Sequence, residues 1–338
     1  MTPPMTDRTA LADSFLATTD WSQATRAPLA GDASNRRYER LTDPATGQTA
    51  VLMDAPPDRG EDVRPFTAIA HYLRDQGLSA PQILAEDAET GFLLLEDLGD
   101  ALFARVLAAD PTPERQLYEA ATQVLITLFN APLPDLPSYG PHLMAELSGL
   151  AFSKYRMGIA GDDGGAAFAR FLPRFEDVLR QTTGGRQVVA LRDYHAENLI
   201  WLPDRAGPAR VGLLDFQDAM LGHPAYDLVS LLQDIRRDVP AGIEIAMTEL
   251  YISATGLDDH AFRTAYAVLG AQRNLRILGV FARLATDYGK PHYLNLIPAV
   301  WAHLVRDLDH PALAPVAELL LEALPAPTPE ALDRLRPA

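Results

Sequence analysis

The chain has 338 residues, no cysteine and a formal net charge of −16 at pH 7. This length suffices for one large or two moderate domains with a buried core, and the lack of cysteine excludes disulfides and thiolate metal sites. An acidic balance argues against nucleic acid, and the absence of a leader-like N-terminus or an apolar run of spanning length predicts a cytoplasmic protein with no membrane partner.

In chain order, residues 7–17 read as a helix and 24–29, 37–41 and 49–53 as strands, separated by turn residues at 31–35 and 43–47. Phe66, Ile69, Ala70 and Leu73 follow the i, i+3, i+4, i+7 pattern of a helix with one face on a core, which Gly77 would stop. Strands near 82–86 and 92–95 complete a mostly antiparallel sheet with an inserted helix. From Ala101 onward the pattern is predominantly helical, with helical segments after Pro224, near 258–287 and at 291–307. It is broken at 187–216 and at a proline-rich joint, 132–137. The proline-rich tail after Leu324 is expected to fray. A small sheet lobe and a larger helical lobe are the predicted architecture.

The interruption at 187–216 carries the chemistry. Asp193 and Asn198 lie in Leu191-Arg192-Asp193-Tyr194-His195-Ala196-Glu197-Asn198, and Asp215 ends the run Val211-Gly212-Leu213-Leu214. The runs 199–202 and 211–214 read as a hairpin that brings the carboxylates together. An Asp followed by four residues and then Asn is an ordinary loop composition when it stands alone. With a strand-terminal Asp beyond it, the pattern suits phosphoryl transfer, in which one carboxylate accepts a hydroxyl proton while Asn and the second Asp hold Mg²⁺.

At these residues the chain resembles the aminoglycoside phosphotransferase and choline-kinase-like branch of the protein-kinase fold, and within it the bacterial anomeric kinases of N-acetylmuramate and N-acetylglucosamine. Further carriers of the resemblance are the stretches 31–38, 52–57, 61–66, 91–99, 214–219 and 289–294. The resemblance implies an α+β, two-lobe protein-kinase-like fold: an antiparallel-sheet N-lobe over 1–95, a hinge over 96–99 and a mainly helical C-lobe over 100–338 with catalytic loop 191–198. It also implies an ATP- and Mg²⁺-dependent sugar kinase of cell-wall recycling. Asp193 would be the base and Asn198 and Asp215 the metal ligands. Gly31, Asp32, Ala33, Ser34, Asn35, Arg36 and Arg37 would cover the nucleotide, and the backbone of Glu96 and Leu98 would meet adenine.

Two departures stand out. The family's His-Gly before the catalytic Asp is Leu191-Arg192 here, and Met53 takes the place of the phosphate-anchoring lysine. The only lysines in the chain are Lys154 and Lys290. Arg36 or Arg37 is the expected replacement cation, with Glu61 or Asp62 to hold it. For the acceptor, His195, Arg236, Arg273 and Arg276 are the candidates, because an arginine fork suits the carboxylate of a sugar acid whereas an aminoglycoside would call for clustered carboxylates. An aminoglycoside or other metabolite kinase, and a nucleotide-binding module that has lost transfer, are the alternatives. The oligomeric state is left open.

Overall fold

The computed structural model describes residues 7–29 and 35–336. The chain opens with α1 (Arg8–Leu16), β1 (Thr25–Leu29), β2 (Arg37–Thr42), β3 (Thr49–Asp54), α2 (Arg64–Asp75), β4 (Ile83–Asp87), β5 (Phe92–Glu96) and α3 (Phe103–Ala109). Next come α4 (Glu114–Asn130), α5 (Pro141–Ser148), a π-helical stretch (Ala151–Arg156) leading into α6 (Met157–Ala160), and α7 (Gly165–Thr182). Four short strands follow: β6 (Val188–Ala190), β7 (Leu199–Trp201), β8 (Val211–Leu213) and β9 (Met220–Gly222). The remainder is helical: α8 (Ala225–Leu232), α9 (Ala241–Thr255), α10 (Asp259–Thr286), α11 (Ile297–Leu308), α12 (Ala314–Ala323) and α13 (Pro329–Asp333). These elements form two compact units, one comprising Met1–Pro111 with Glu197–Asp218, the other Thr112–Ala196 with Ala219–Ala338.

In the first unit an antiparallel sheet has the order β1-β2-β3-β5-β4. Because strand side chains alternate, its two faces differ. One face presents Leu41, Ala50, Leu52, Phe92 and Leu94 to Ala12, Phe15 and Leu16 of α1. The cross-strand register puts Met53 on the opposite face, beside Tyr38 and Leu93. Helix α2 buries the predicted stripe Phe66, Ile69, Ala70 and Leu73, and Gly77 follows it at a φ of 74°.

The β7–β8 hairpin belongs to this unit by packing, which differs from the expected single cut at 96–99. Its bonds explain why. Ser79 bridges to Gly212, Leu213 N–H donates to the Ser79 carbonyl at 2.9 Å, and Trp201 N–H donates to the Ala101 carbonyl at 2.8 Å. Arg205, between the two strands, donates to Ser79 Oγ at 2.7 Å and to Glu96 at 2.5 Å. Gly212 lets β8 run against Leu98, since a Cβ there would fall 3.0 Å from Leu98 Cδ1.

The second unit is organised on α10, whose 28 residues are buried along most of its length. Strand β6 pairs with β9, and the proline-rich joint ends against β9, where Leu221 N–H donates to the Pro137 carbonyl at 2.9 Å. The segment expected as one helix over 291–307 begins instead as a 3₁₀ stretch, Pro291–Leu296, ahead of α11. The tail also departs from expectation. Up to residue 336 it is packed and not frayed: Leu335 is fully buried, and Arg334 donates to the Ile159 carbonyl at 3.0 Å. Composition alone could not show that an apolar side chain so near the end has a socket, whose wall includes Gly158.

Candidate active site

Asp193 is presented by a strained turn. Its own N–H donates to the Leu191 carbonyl at 2.9 Å, and Arg192 between them has a φ of 73°. This is the rare γ-turn hand, and a left-handed non-glycine residue costs about 1–2 kcal/mol. The turn is held by Asp227 of α8, whose carboxylate accepts the N–H of Leu191 at 2.6 Å and of Arg192 at 2.8 Å. Arg192 lies over the Tyr139 ring at 5.2 Å, and Ser230 donates to its carbonyl at 3.3 Å. Burial pushes Asp227 up to about 6, the two backbone N–H groups work against that rise, and the charge of Asp193 adds to it. Below the turn, Tyr194 is fixed to α4 through its hydroxyl, which donates to the Ala121 carbonyl at 2.9 Å.

The four candidate acceptor residues gather in the same unit as Asp193. His195 is buried, and Arg236 Nη1 stands 3.3 Å from its Nε2. Burial, followed by the charges of Arg236 and Arg273, holds this imidazole well below its usual range, so at neutral pH it is uncharged. Asp234 accepts the N–H of Ala196 at 3.3 Å and of Arg236 at 2.9 Å, which ties the loop to the segment after α8. Arg273 and Arg276, one turn apart on α10, both feel the charge of Asp193. Burial lowers Arg273. For Arg276 burial acts in the same sense but is outweighed by Tyr226, Tyr139 and Asp193, and its side chain also hydrogen-bonds Tyr226.

Asn198 and Asp215 meet within the first unit. Asn198 Nδ2 lies 3.4 Å from one Asp215 oxygen, and Gln217 Nε2 donates to the other at 2.8 Å. Asp215 has a φ of 57°, and the Phe216 ring after it stacks on Phe66 of α2 at 4.7 Å. The carboxylate is thus aimed by a left-handed backbone locked from its C-terminal side. An amide oxygen beside a carboxylate is a hard donor pair that suits Mg²⁺, which fills its other positions with water and phosphate. Among the described residues no group of three or more His, Asp or Glu forms a self-sufficient metal cage.

Of the residues expected at the nucleotide, Gly31, Asp32, Ala33 and Ser34 lie outside the described residues. Asn35 N–H donates to Glu61 at 3.1 Å, and Arg36 pairs with Glu61 at 2.8 Å. Arg36 also bonds the Tyr38 side chain, which shares a sheet face with Met53. Arg37 is placed differently. Its register opposite Asp54 puts it on the α1 face, where it lines a small cavity with Arg8, Arg26 and Asp54, so it is not beside Met53. The Glu96 side chain is turned to Arg205, and Arg40 binds Asp97 at 3.1 Å and Asp100 at 2.7 Å, so ion pairs brace the segment around Leu98. Asp227, Arg205 and Arg40 went unnoticed in the sequence. Only Asp227 left a signal there, as a lone acid in the apolar run Tyr226-Asp227-Leu228-Val229.

A sequence model described as the phosphotransferase enzyme family matches residues 25–266. The chain belongs to this family. It is 38% identical to the N-acetylmuramate/N-acetylglucosamine kinase of Caulobacter vibrioides, over 91% of this chain and 94% of that protein. The protein of the same name from Pseudomonas aeruginosa is 33% identical, over 87% of each chain. Among solved structures, a microcompartment-associated aminopropanol kinase superposes with a TM-score of 0.62 at 15% identity, over 94% of this chain and 99% of the other. Ethanolamine kinase from Plasmodium vivax gives 0.58 at 12% identity, over 84% and 81%. At such identities the likeness concerns the fold, the two-lobe α+β arrangement of kinases with a small antiparallel sheet and many helices. The family member is a phosphotransferase, and no helix among its described residues is long and apolar enough to cross a membrane.

Proposed function

We propose that the protein is an ATP- and Mg²⁺-dependent kinase that phosphorylates the anomeric hydroxyl of an N-acetylated amino sugar, N-acetylmuramate or N-acetylglucosamine, in cell-wall recycling in the cytoplasm. The acceptor assignment is carried by the relatives of that name, which align with nearly the whole chain. On this reading residues 1–95 form the nucleotide lobe, with which the hairpin of 197–218 packs, 96–99 form the hinge, and the helical remainder is the acceptor side. Backbone groups of Glu96 and Leu98 receive adenine, and Arg36, steadied by Glu61, takes the phosphate-binding role that Met53 cannot perform.

Asp193 is the base. As it accepts the proton of the anomeric hydroxyl, that oxygen forms its bond to the γ-phosphorus and the bond to the ADP oxygen breaks, leaving the electron pair on ADP. An anomeric hydroxyl is more acidic than an ordinary alcohol, so one carboxylate suffices. Asp215 and, after rotation of its amide, Asn198 would hold Mg²⁺, which when bound neutralises charge on the phosphate oxygens. His195, Arg236, Arg273 and Arg276 surround the sugar. Three guanidinium groups beside a neutral imidazole make a poor receptor for a polycationic aminoglycoside, which favours the sugar acid over that alternative. A module that had lost transfer would have no chemical use for a strained, braced Asp193.

The test is ADP release from ATP and Mg²⁺ with N-acetylmuramate, N-acetylglucosamine, choline and kanamycin as acceptors. Stimulation by the two amino sugars alone is expected, and stimulation by kanamycin or choline instead would overturn the assignment.

A further inference from the structure

The side chain of Arg273 is only 3% exposed, yet among the described residues nothing accepts a hydrogen bond from its Nη1. A buried guanidinium donor left unmatched forfeits its hydration without replacement, so such a group calls for an explanation. Its neighbours are otherwise occupied: Arg236 approaches His195, and Arg276 bonds Tyr226. Asp193 and Asp234 attract the Arg273 charge and Arg276 repels it. The surroundings therefore hold this cation electrostatically while leaving its Nη1 without an acceptor.

We propose that Arg273 is the residue that reads the acceptor's carboxylate, selecting a sugar acid over its neutral counterpart; the assignment deepens the sugar-kinase reading and rests on it. Asp193 has to reach the anomeric hydroxyl, and a carboxylate borne on the same sugar lies about one ring away. Arg273 is electrostatically linked to that base, and its spare donor suits an anionic oxygen, with which a guanidinium makes short, strong bonds. A neutral sugar offers only hydroxyls there and leaves the charge without an anionic partner.

The experiment measures kcat/KM for N-acetylmuramate and for N-acetylglucosamine on the same preparations of wild type, Arg273→Gln and Arg273→Lys. Arg273→Gln is expected to lower the N-acetylmuramate value ~100-fold and the N-acetylglucosamine value by no more than ~3-fold, the range of a lost charge-assisted bond. Arg273→Lys falls between, because it keeps the charge without the fork. Loss of folded enzyme cancels in the ratio of the two sugars. An unchanged ratio, with both sugars turned over by wild type, overturns the assignment alone. Turnover of neither sugar by wild type removes the sugar-kinase reading and the assignment with it.

Discussion

Arg36 and Glu61 form a 2.8 Å ion pair, with Arg36 bonded also to Tyr38, whose sheet face carries Met53. A cation steadied by a carboxylate is what a lysine on the third strand would otherwise provide. Arg36→Met should therefore raise KM for ATP by roughly ten-fold or more, equivalent to one charge-assisted phosphate bond, with a smaller change in kcat. Glu61→Gln should move KM in the same direction by less. An unchanged KM for ATP in Arg36→Met would remove Arg36 from the nucleotide site.

Asp227 acts on the proposed base at one remove, through the backbone N–H groups of Leu191 and Arg192. An asparagine there can accept only one of the two N–H groups and turns a donor toward the other, so the positive-φ turn at Arg192 loses its brace. Asp227→Asn is expected to lower kcat by about 10–100-fold, the worth of one or two buried bonds to a charged acceptor, with KM for ATP held within about two-fold. Steady-state rates over an ATP series measure both. With rates taken per folded enzyme, measured by circular dichroism, a rise in KM for ATP that matches the fall in kcat would contradict a role confined to the Asp193 turn.

Asp307 of α11 has a pH signature. Its carboxylate accepts from Gln233 Nε2 at 2.9 Å and from Asn274 Nδ2 at 3.2 Å, and burial pushes it up to about 7 from an ordinary 3.8. A carboxyl with a raised folded pKa binds more protons folded than unfolded between those values. Its contribution to stability is thus fully present below about pH 4 and lost as pH rises through about 7, on the order of 4 kcal/mol. The lowered histidines His223 and His303 titrate in the opposite sense, so the wild-type curve is mixed and only a difference isolates Asp307. Asp307→Asn should gain stability relative to wild type between pH 4.5 and 7.5 in thermal melts; parallel curves would contradict this.

Local patterns were legible in the sequence wherever a period or a turn residue expressed them. The five strands, the stripe of α2 and the 199–214 hairpin emerged within a residue or two, as did Asn198 beside Asp215. What was illegible depended on contacts distant in sequence. The pairing of β6 with β9, the attachment of the hairpin through Arg205 to Glu96, and the socket for Leu335 have no local signature. Arg36 and Arg37 looked equivalent because only strand register decides which face each one joins. Asp227 was visible as an acid in an apolar helix, but its role emerged only with the bonds it accepts.

Asp193 is the proposed acceptor of the proton from the sugar hydroxyl. The most direct measurement pairs kcat for N-acetylmuramate with calorimetric nucleotide affinity in wild type and Asp193→Asn. Loss of a general base predicts a kcat lower by roughly 10²–10⁴-fold with the ATP dissociation constant within about two-fold. Near-wild-type turnover in Asp193→Asn, or a fall in ATP affinity that matches the loss of rate, would contradict it.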